Sequence, residues 1–164
     1  MTNKSDTNLT LGLPLVSIIT PSFNQSAYIA ATINSVLSQD YPNIEYIIVD
    51  GGSTDGSAEI IERYADRLAW WVSEEDNGHT DALDKGFARA NGEILAWLNS
   101  DDTYEPGAIS AVVKFLMENS DVGLVYGECN FIDENGRKFG EFNAAQTDFE
   151  KLKRGYVHIP QQSS

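Results

Sequence analysis

In the run Leu98-Asn99-Ser100-Asp101-Asp102, an apolar stretch, Ile94-Leu95-Ala96-Trp97-Leu98, leads straight into two adjacent carboxylates. Hard divalent ions such as Mg²⁺ or Mn²⁺ prefer oxygen ligands, and at phosphate sites one or two carboxylates hold the ion while substrate oxygens complete its shell. A buried strand ending in such a pair points to metal-assisted chemistry on a phosphorylated substrate. The same residues also suit a structural role, because Ser and Asp favour turns and helix N-caps and Pro106 is placed to open a helix.

A third carboxylate, Asp50, closes the run Ile47-Ile48-Val49 and precedes Gly51-Gly52-Ser53-Thr54-Asp55-Gly56. Glycines let a ligand approach the backbone, and an ionised carboxylate only accepts hydrogen bonds, so Asp50 suits a ring N–H of a base such as uracil. A tight Gly-rich turn with Asp50 capping the next helix accounts for the same residues. In Glu74-Glu75-Asp76-Asn77-Gly78-His79, Gly78 and the following amides suit a pyrophosphate at a helix N-terminus. Glu74 and Glu75 read as an exposed acidic loop, and a lone loop histidine such as His79 is more often solvated than a ligand. Trp70 and Trp71, adjacent on a strand, point to opposite sides and are expected to pack rather than to hold a sugar. Two familiar phosphate loops are excluded. Gly51 and Gly56 have the outer spacing of a Walker loop, but Ser57 stands where its Lys is required, and no Gly-x-Gly-x-x-Gly occurs.

The elements that must carry these residues are legible in the hydrophobic spacing. Leu15-Val16-Ser17-Ile18-Ile19-Thr20 is a β-branched run stopped by Pro21, and Ile29, Ile33, Val36 and Leu37 then recur at helical spacing. Residues 44–49 are nearly continuous apolar sequence, the pattern of a parallel strand covered on both faces. Ile60, Ile61 and Tyr64 begin a second helix, and residues 68–72 form a third strand. Leu83, Phe87 and Ala90 mark a third helix, residues 93–98 a fourth strand, and Ile109, Val112, Val113 and Leu116 a helix after Pro106. Such alternation predicts a mostly parallel α/β sheet with helices on both faces, and ligands gather at the carboxyl ends of its strands. Pro21, Asp50 and Asp101 all fall at those ends. From Asp121 the segments shorten around the turn Asp133-Glu134-Asn135-Gly136, which predicts an appended C-terminal β-hairpin.

Composition narrows the partners. Lys and Arg total 11 against 25 Asp and Glu, a formal charge of −14 that repels nucleic acids and anionic lipid. It also repels a nucleoside diphosphate, so an anionic ligand requires a bound cation or local backbone dipoles. The lone Cys129 has no internal disulfide partner and reads as an inert packed thiol. No apolar stretch approaches the ~20 residues of a membrane span, and the polar start lacks the form of a signal peptide. A cytoplasmic protein is expected, with a disordered tail at residues 1–14 and one domain over residues 15–164.

Taken together, Ser17-Ile18-Ile19-Thr20-Pro21-Ser22-Phe23-Asn24, Val49-Asp50-Gly51-Gly52-Ser53-Thr54-Asp55-Gly56, and Leu98-Asn99-Ser100-Asp101-Asp102 with Pro106 beyond, strongly resemble family-two glycosyltransferases of the GT-A fold. The resemblance covers roughly residues 15–130. It implies transfer of a sugar, with inversion, from a UDP-, GDP- or dTDP-linked donor to a glycan or lipid-linked acceptor, dependent on Mn²⁺ or Mg²⁺, at the inner face of the membrane. By that likeness Pro21, Ser22, Phe23 and Asn24, with Asp50, Gly51 and Ser53, hold the base end of the donor. Gly78, Asp81 and Lys85 line it further along. Asp101 is then the metal-contacting acid, and Asp102 lies beside the metal, the ribose or the sugar. Two positions depart from the family's pattern: Asn99 stands where many members carry an acid, and Asp84 where many carry Asn. The family's general base and acceptor-binding half lie beyond residue 164, so no catalytic base is nominated and the chain is expected to bind donor without turnover. A homo-oligomer stays open. A sugar nucleotidyltransferase would share the sheet and metal but needs a Gly- and Arg-rich loop that Pro21-Ser22-Phe23-Asn24-Gln25 does not supply. A non-catalytic nucleotide-sugar-binding module fits the missing base equally well.

Overall fold

A computed structural model describes residues 12–142. Most of the expected tail, residues 1–11, and the C-terminal stretch 143–164 lie outside the described residues. The described chain falls into two compact units, one through Phe115 and one from Leu116 onward. The first alternates strand and helix: β1 (Val16–Ser22), α1 (Ile29–Leu37), β2 (Ile44–Asp50), α2 (Ser57–Glu62), β3 (Trp70–Ser73), α3 (His79–Phe87), β4 (Ile94–Trp97) and α4 (Ala108–Glu118), whose last residues belong to the second unit. The four strands make one parallel sheet in the order β3-β2-β1-β4.

Alternation along the strands sends side chains to two cores. Val16 and Ile18 of β1 and Tyr46 and Ile48 of β2 pack with Ile29, Ile33 and Val36 of α1, Ile61 of α2, and Ile109 and Val113 of α4. Ile19, Ile47 and Val49 turn the other way, onto Ala82, Leu83 and Phe87 of α3. Helices thus cover both faces, as the sequence predicts. The chain steps from β1 to β2 to β3 with α1 and α2 on one face. It then crosses the other face through α3 to set β4 on the far side of β1. The direction of travel reverses between β1 and β4, and the crevice outside their carboxyl ends is the place where open α/β sheets bind ligands.

Trp71 joins the first core and Trp70 the second, where the Arg89 guanidinium lies 4.6 Å from the Trp70 ring centre. Both tryptophans are packing residues.

Two local expectations are corrected. Pro21 does not end β1, which continues through Pro21 and Ser22 beside Val49 and Asp50. The amide of Leu98 reaches the Ile19 carbonyl and that of Gly51 the Ser22 carbonyl, so alternate residues of β1 bond to opposite neighbours. Pro21 therefore turns its missing N–H toward the β4 side, where β4 has already stopped at Trp97, and no ladder bond is lost. Nor is β4 the buried strand expected: it ends the four-stranded sheet, with Leu95 53% and Trp97 49% exposed while Ile94 and Ala96 pack inward. At the start of the domain, Leu13 and Pro14, assigned by sequence to the tail, are held. The Leu13 carbonyl accepts from Asn43 and the Pro14 carbonyl from the Tyr41 hydroxyl.

Close packing of α3 on β1 requires Gly86. A Cβ there would stand 2.5 Å from Ile19 Cγ2 in the core. Gly86→Ala should therefore destabilise the fold by about 1–2 kcal/mol, the overpacking strain outweighing the gain in helix propensity. The check is a lowered urea midpoint at unchanged m-value.

The second unit contains the expected hairpin, as a separate two-stranded antiparallel sheet of β5 (Cys129–Ile132) and β6 (Lys138–Phe142). Asp133 organises its turn, accepting the amides of Asn135 and Arg137 on Oδ1. Cys129 is half-buried at the start of β5 and unpaired.

Candidate active site at the strand ends

The loops after β1 and β2 are stitched together around Asp50. Its carboxylate is fully buried and accepts the Ser53 amide at 2.9 Å, the Ser53 hydroxyl at 2.6 Å and the Ser73 hydroxyl at 2.7 Å. It does not cap α2, whose N-cap is Gly56 at a φ of 98°. Ser53 Oγ in turn accepts the Asn24 amide, and the Thr54 amide donates to Asn24 Oδ1. Asn24 sits at a φ of 53°, a left-handed conformation that Asn tolerates well among non-glycine residues. A parallel stitch runs through Asp55, which accepts the Ser26 amide on one oxygen and the Ser57 amide and hydroxyl on the other. The Ser57 hydroxyl and the Ser26 amide together hold the Asp55 carboxyl well below the usual carboxylate range. Phe23 stands 61% exposed at the rim of this double loop. Behind it Ser22 is buried, with an Oγ that has no hydrogen-bond partner among the described residues.

The loop after β3 closes against this pair. A Cβ on Gly51 would lie 2.8 Å from the Asp76 carboxylate, so a side chain there would have to push the Asp76 carboxylate aside. Asp76 also accepts the Gly78 amide, and Asp81 accepts the Asn77 amide, so these two amides are taken by the loop's own acids. The Asn77 amide, more than the nearby Lys85, keeps the Asp81 carboxyl below its ordinary range. Lys85 is committed as well: Nζ lies 3.0 Å from Glu74 and 3.6 Å from Asp81, and the Glu74 contact raises its pKa. His79 and Asp84 are exposed, and His79 Nε2 approaches Asn99 Oδ1 at 3.1 Å.

The paired acids sit on the loop after β4, which α1 holds from below. Thr32 Oγ1 donates to the Ser100 carbonyl at 2.8 Å, the Tyr104 amide to Ser35 Oγ at 3.1 Å, and Gln39 Nε2 to the Glu105 carbonyl at 3.0 Å. Buried Leu98 anchors the start of the loop, and the Asp102 amide turns back to the Asn99 carbonyl. Asp102 is half-buried, and its Oδ2 has no hydrogen-bond partner among the described residues. Burial first, and then the neighbouring Asp101 carboxylate, push the Asp102 pKa up to about 6 against the opposing hydrogen bond from Asn99. The folded state therefore binds the proton more tightly than the unfolded chain. Stability declines as pH rises from about 4 to about 6, and the deficit is complete above that. Asp102→Asn should stabilise the metal-free protein at pH 7 by about 1 kcal/mol, a figure reduced for solvent screening. Thermal melts should show an increase of roughly 2–4 °C at pH 7 that vanishes at pH 4.

A buried carboxylate oxygen without a partner, next to a second carboxylate, fits a hard cation. Among the described residues no three His, Cys, Asp or Glu side chains converge as a metal cage. Asp101 and Asp102 are the carboxylates that this loop brings together.

All the nominated residues, Pro21, Ser22, Phe23, Asn24, Asp50, Gly51, Ser53, Gly78, Asp81, Lys85, Asp101 and Asp102, lie on or beside the carboxyl ends of the parallel strands. The structure joins Asn24, Ser53 and Asp50 directly, and gathers Asp81 and Lys85 into a separate ion-pair cluster with Glu74. Sequence reasoning missed Asp55, Ser57, Ser73 and Asp76, which hold the loops, and Thr32 and Ser35, which hold the acids. Only Asp55-Gly56-Ser57 carried a signal, the pattern of an Asp bonding the backbone two residues on.

The parallel sheet with these loops at its topological switch is of the GT-A fold class, the fold of the solved glycosyltransferases it resembles. Glycosyl transferase family 2 matches this chain over residues 17–160, and the chain belongs to that family. It is 42% identical to TuaG of Bacillus subtilis (strain 168), named for teichuronic acid biosynthesis, over 65% of this chain and 44% of TuaG. It is 39% identical to an uncharacterized glycosyltransferase of Rickettsia conorii (strain ATCC VR-613 / Malish 7) over 96% of this chain and 28% of the relative. Among solved structures, the mannosyltransferase PcManGT of Pyrobaculum calidifontis, in complex with GDP-Man and Mn²⁺, superposes with a TM-score of 0.60 at 29% identity over 70% of this chain and 34% of that one. TarS 1–349 of S. aureus in complex with UDP-GlcNAc gives 0.60 at 27% identity over 65% and 32%. The chain therefore spans less than half the length of these relatives. Among the described residues no helix is long and apolar enough to cross a membrane.

Proposed function

We propose that this chain is the donor-binding portion, residues 15–164, of an inverting glycosyltransferase that moves a sugar from a nucleotide-sugar to a glycan or lipid-linked acceptor. Mn²⁺ or Mg²⁺ assists, and the reaction takes place on the cytoplasmic side of the membrane. The observation that carries this reading is the unpartnered, buried Asp102 Oδ2 beside Asp101 at the crevice between β1 and β4. Asp101 and Asp102 would hold the cation, which when bound supplies positive charge to the departing nucleoside diphosphate. The chain's remaining groups bind and orient. The buried Ser22 hydroxyl and the exposed Phe23 ring supply a hydrogen bond and a face for the base, while Asp50, through Ser53, fixes the shape of the loop beneath it. The Asp81–Lys85–Glu74 cluster borders the donor with its one basic group already balanced, so charge relief at the diphosphate falls to the acid corner. Relatives in complex with GDP-Man and UDP-GlcNAc, and one named for teichuronic acid biosynthesis, support a nucleotide-sugar donor and a cell-surface polymer as product.

Calorimetry with UDP-, GDP- and dTDP-sugars, with and without Mn²⁺, tests this. Saturable binding of one nucleotide class that requires the ion is expected. Absence of ion-dependent binding for all three would refute the reading.

A further inference from the structure

His79 opens α3 and Asn99 follows β4, and their side chains meet at the strand ends, His79 Nε2 lying 3.1 Å from Asn99 Oδ1. Asn99 also builds the acid turn: its carbonyl accepts the Asp102 amide at 3.2 Å, and its side chain hydrogen-bonds to the Asp102 carboxylate. A side-chain amide accepts through oxygen and donates through nitrogen, and an ionised carboxylate only accepts. With its nitrogen turned to Asp102, Asn99 presents its oxygen to His79, so His79 Nε2 must carry a hydrogen. The neutral imidazole is thereby fixed as the Nε2–H tautomer.

We propose that His79 is a positioning residue for the acid corner. By holding Asn99 Oδ1, it prevents the amide from flipping and keeps Asp102 directed with Oδ2 free toward a cation. A flipped amide would turn its oxygen on the Asp102 carboxylate and repel it. An Asp at position 99 would accept from His79 but give Asp102 no hydrogen bond, and would crowd a third charge against Asp101 and Asp102. The pairing of His79 with a neutral Asn99 is thus internally consistent where an isolated Asn would weaken the motif. The function of the relay rests on the metal-site reading above, whereas its geometry does not.

The test uses the full 164-residue chain with MnCl₂ and UDP or GDP as probes. His79→Ala should weaken Mn²⁺-dependent nucleotide binding about 10-fold, within the range for groups that orient metal-holding side chains. His79→Gln, whose side-chain N–H can still donate to Asn99, should restore most of the affinity. His79 is exposed, so both variants should melt with the unaltered chain. Independently of any ligand, ¹⁵N NMR should report His79 as Nε2–H, its signal identified by loss in His79→Ala. An Nδ1–H tautomer, or unchanged affinity in His79→Ala, overturns the relay. Absence of Mn²⁺-dependent binding by the unaltered chain, in the presence of the Nε2–H tautomer, overturns the proposed function and with it the relay's role in cation binding.

Discussion

Asp101→Ala should abolish the Mn²⁺-dependent part of nucleotide binding in this chain and, on the proposed function, lower sugar transfer about 10²–10³-fold in any active transferase that contains it. The size of the effect follows from how little else can offset charge at the crevice. The chain carries a formal charge of −14, and the rim is lined by Glu74, Asp76 and Asp81, with Lys85 already paired to two of them. Asn99 contributes no charge. On the proposed reading a nucleoside diphosphate depends on the cation and the cation on two side chains, so removing one halves the anionic set. Paired titrations with and without Mn²⁺ are the measurement. Wild-type protein should lose affinity on omission of the ion, whereas Asp101→Ala should give the same weak isotherm in both. Equal ion dependence in the two proteins would show that the cation sits elsewhere. Thermal melts provide the control, since Asp101 is partly exposed and its loss should leave the metal-free fold close to unchanged.

The positions of the chemistry-bearing residues were legible because they follow from strand register. Continuous apolar runs ending at Asp50 and before Asp101 require parallel strands, and parallel strands with helical crossovers deliver their carboxyl ends to one edge. The division of the core into two faces was not read from the sequence, because continuous apolar runs mask the period-two alternation that separates Ile18 and Ile48 from Ile19 and Ile47. Nor was the environment of each site residue. Asp50 reads from sequence as a free acceptor or a helix cap, yet its hydrogen bonds come from Ser53 three residues on and from Ser73 on another strand. Such a long-range partner has no local signature. The exposed face of β4 was missed because an apolar run does not report how many neighbours the strand has. Pro21 was misread because proline's cost depends on which side its missing N–H faces, a property of the neighbouring strand's length.

Asp50→Ala should be the most destabilising change at the site, by about 3–4 kcal/mol. It removes the buried carboxylate that accepts from one amide and two hydroxyls in part-buried bonds, and a hydrogen bond to a charged group contributes about 1.5–3 kcal/mol. Against a typical total of about 5–15 kcal/mol, that predicts a folded protein at low temperature with a melting point depressed by roughly 10 °C. Asp50→Asn keeps one acceptor oxygen and should fall between, because the Ser53 amide and the Ser73 hydroxyl share Oδ2, which the amide oxygen can replace, while the Ser53 hydroxyl on Oδ1 must turn to accept. The consequence for ligands separates two mechanisms. If Asp50 acts by shaping the loop, affinity for UDP, GDP and dTDP donors should fall together and in step with the melting point, with Mn²⁺ binding at the acid corner retained. If instead it reads a ring N–H directly, Asp50→Asn should shift the preference among bases while the melting point hardly moves. The three hydrogen bonds already made, in a carboxylate with no solvent exposure, favour the first outcome.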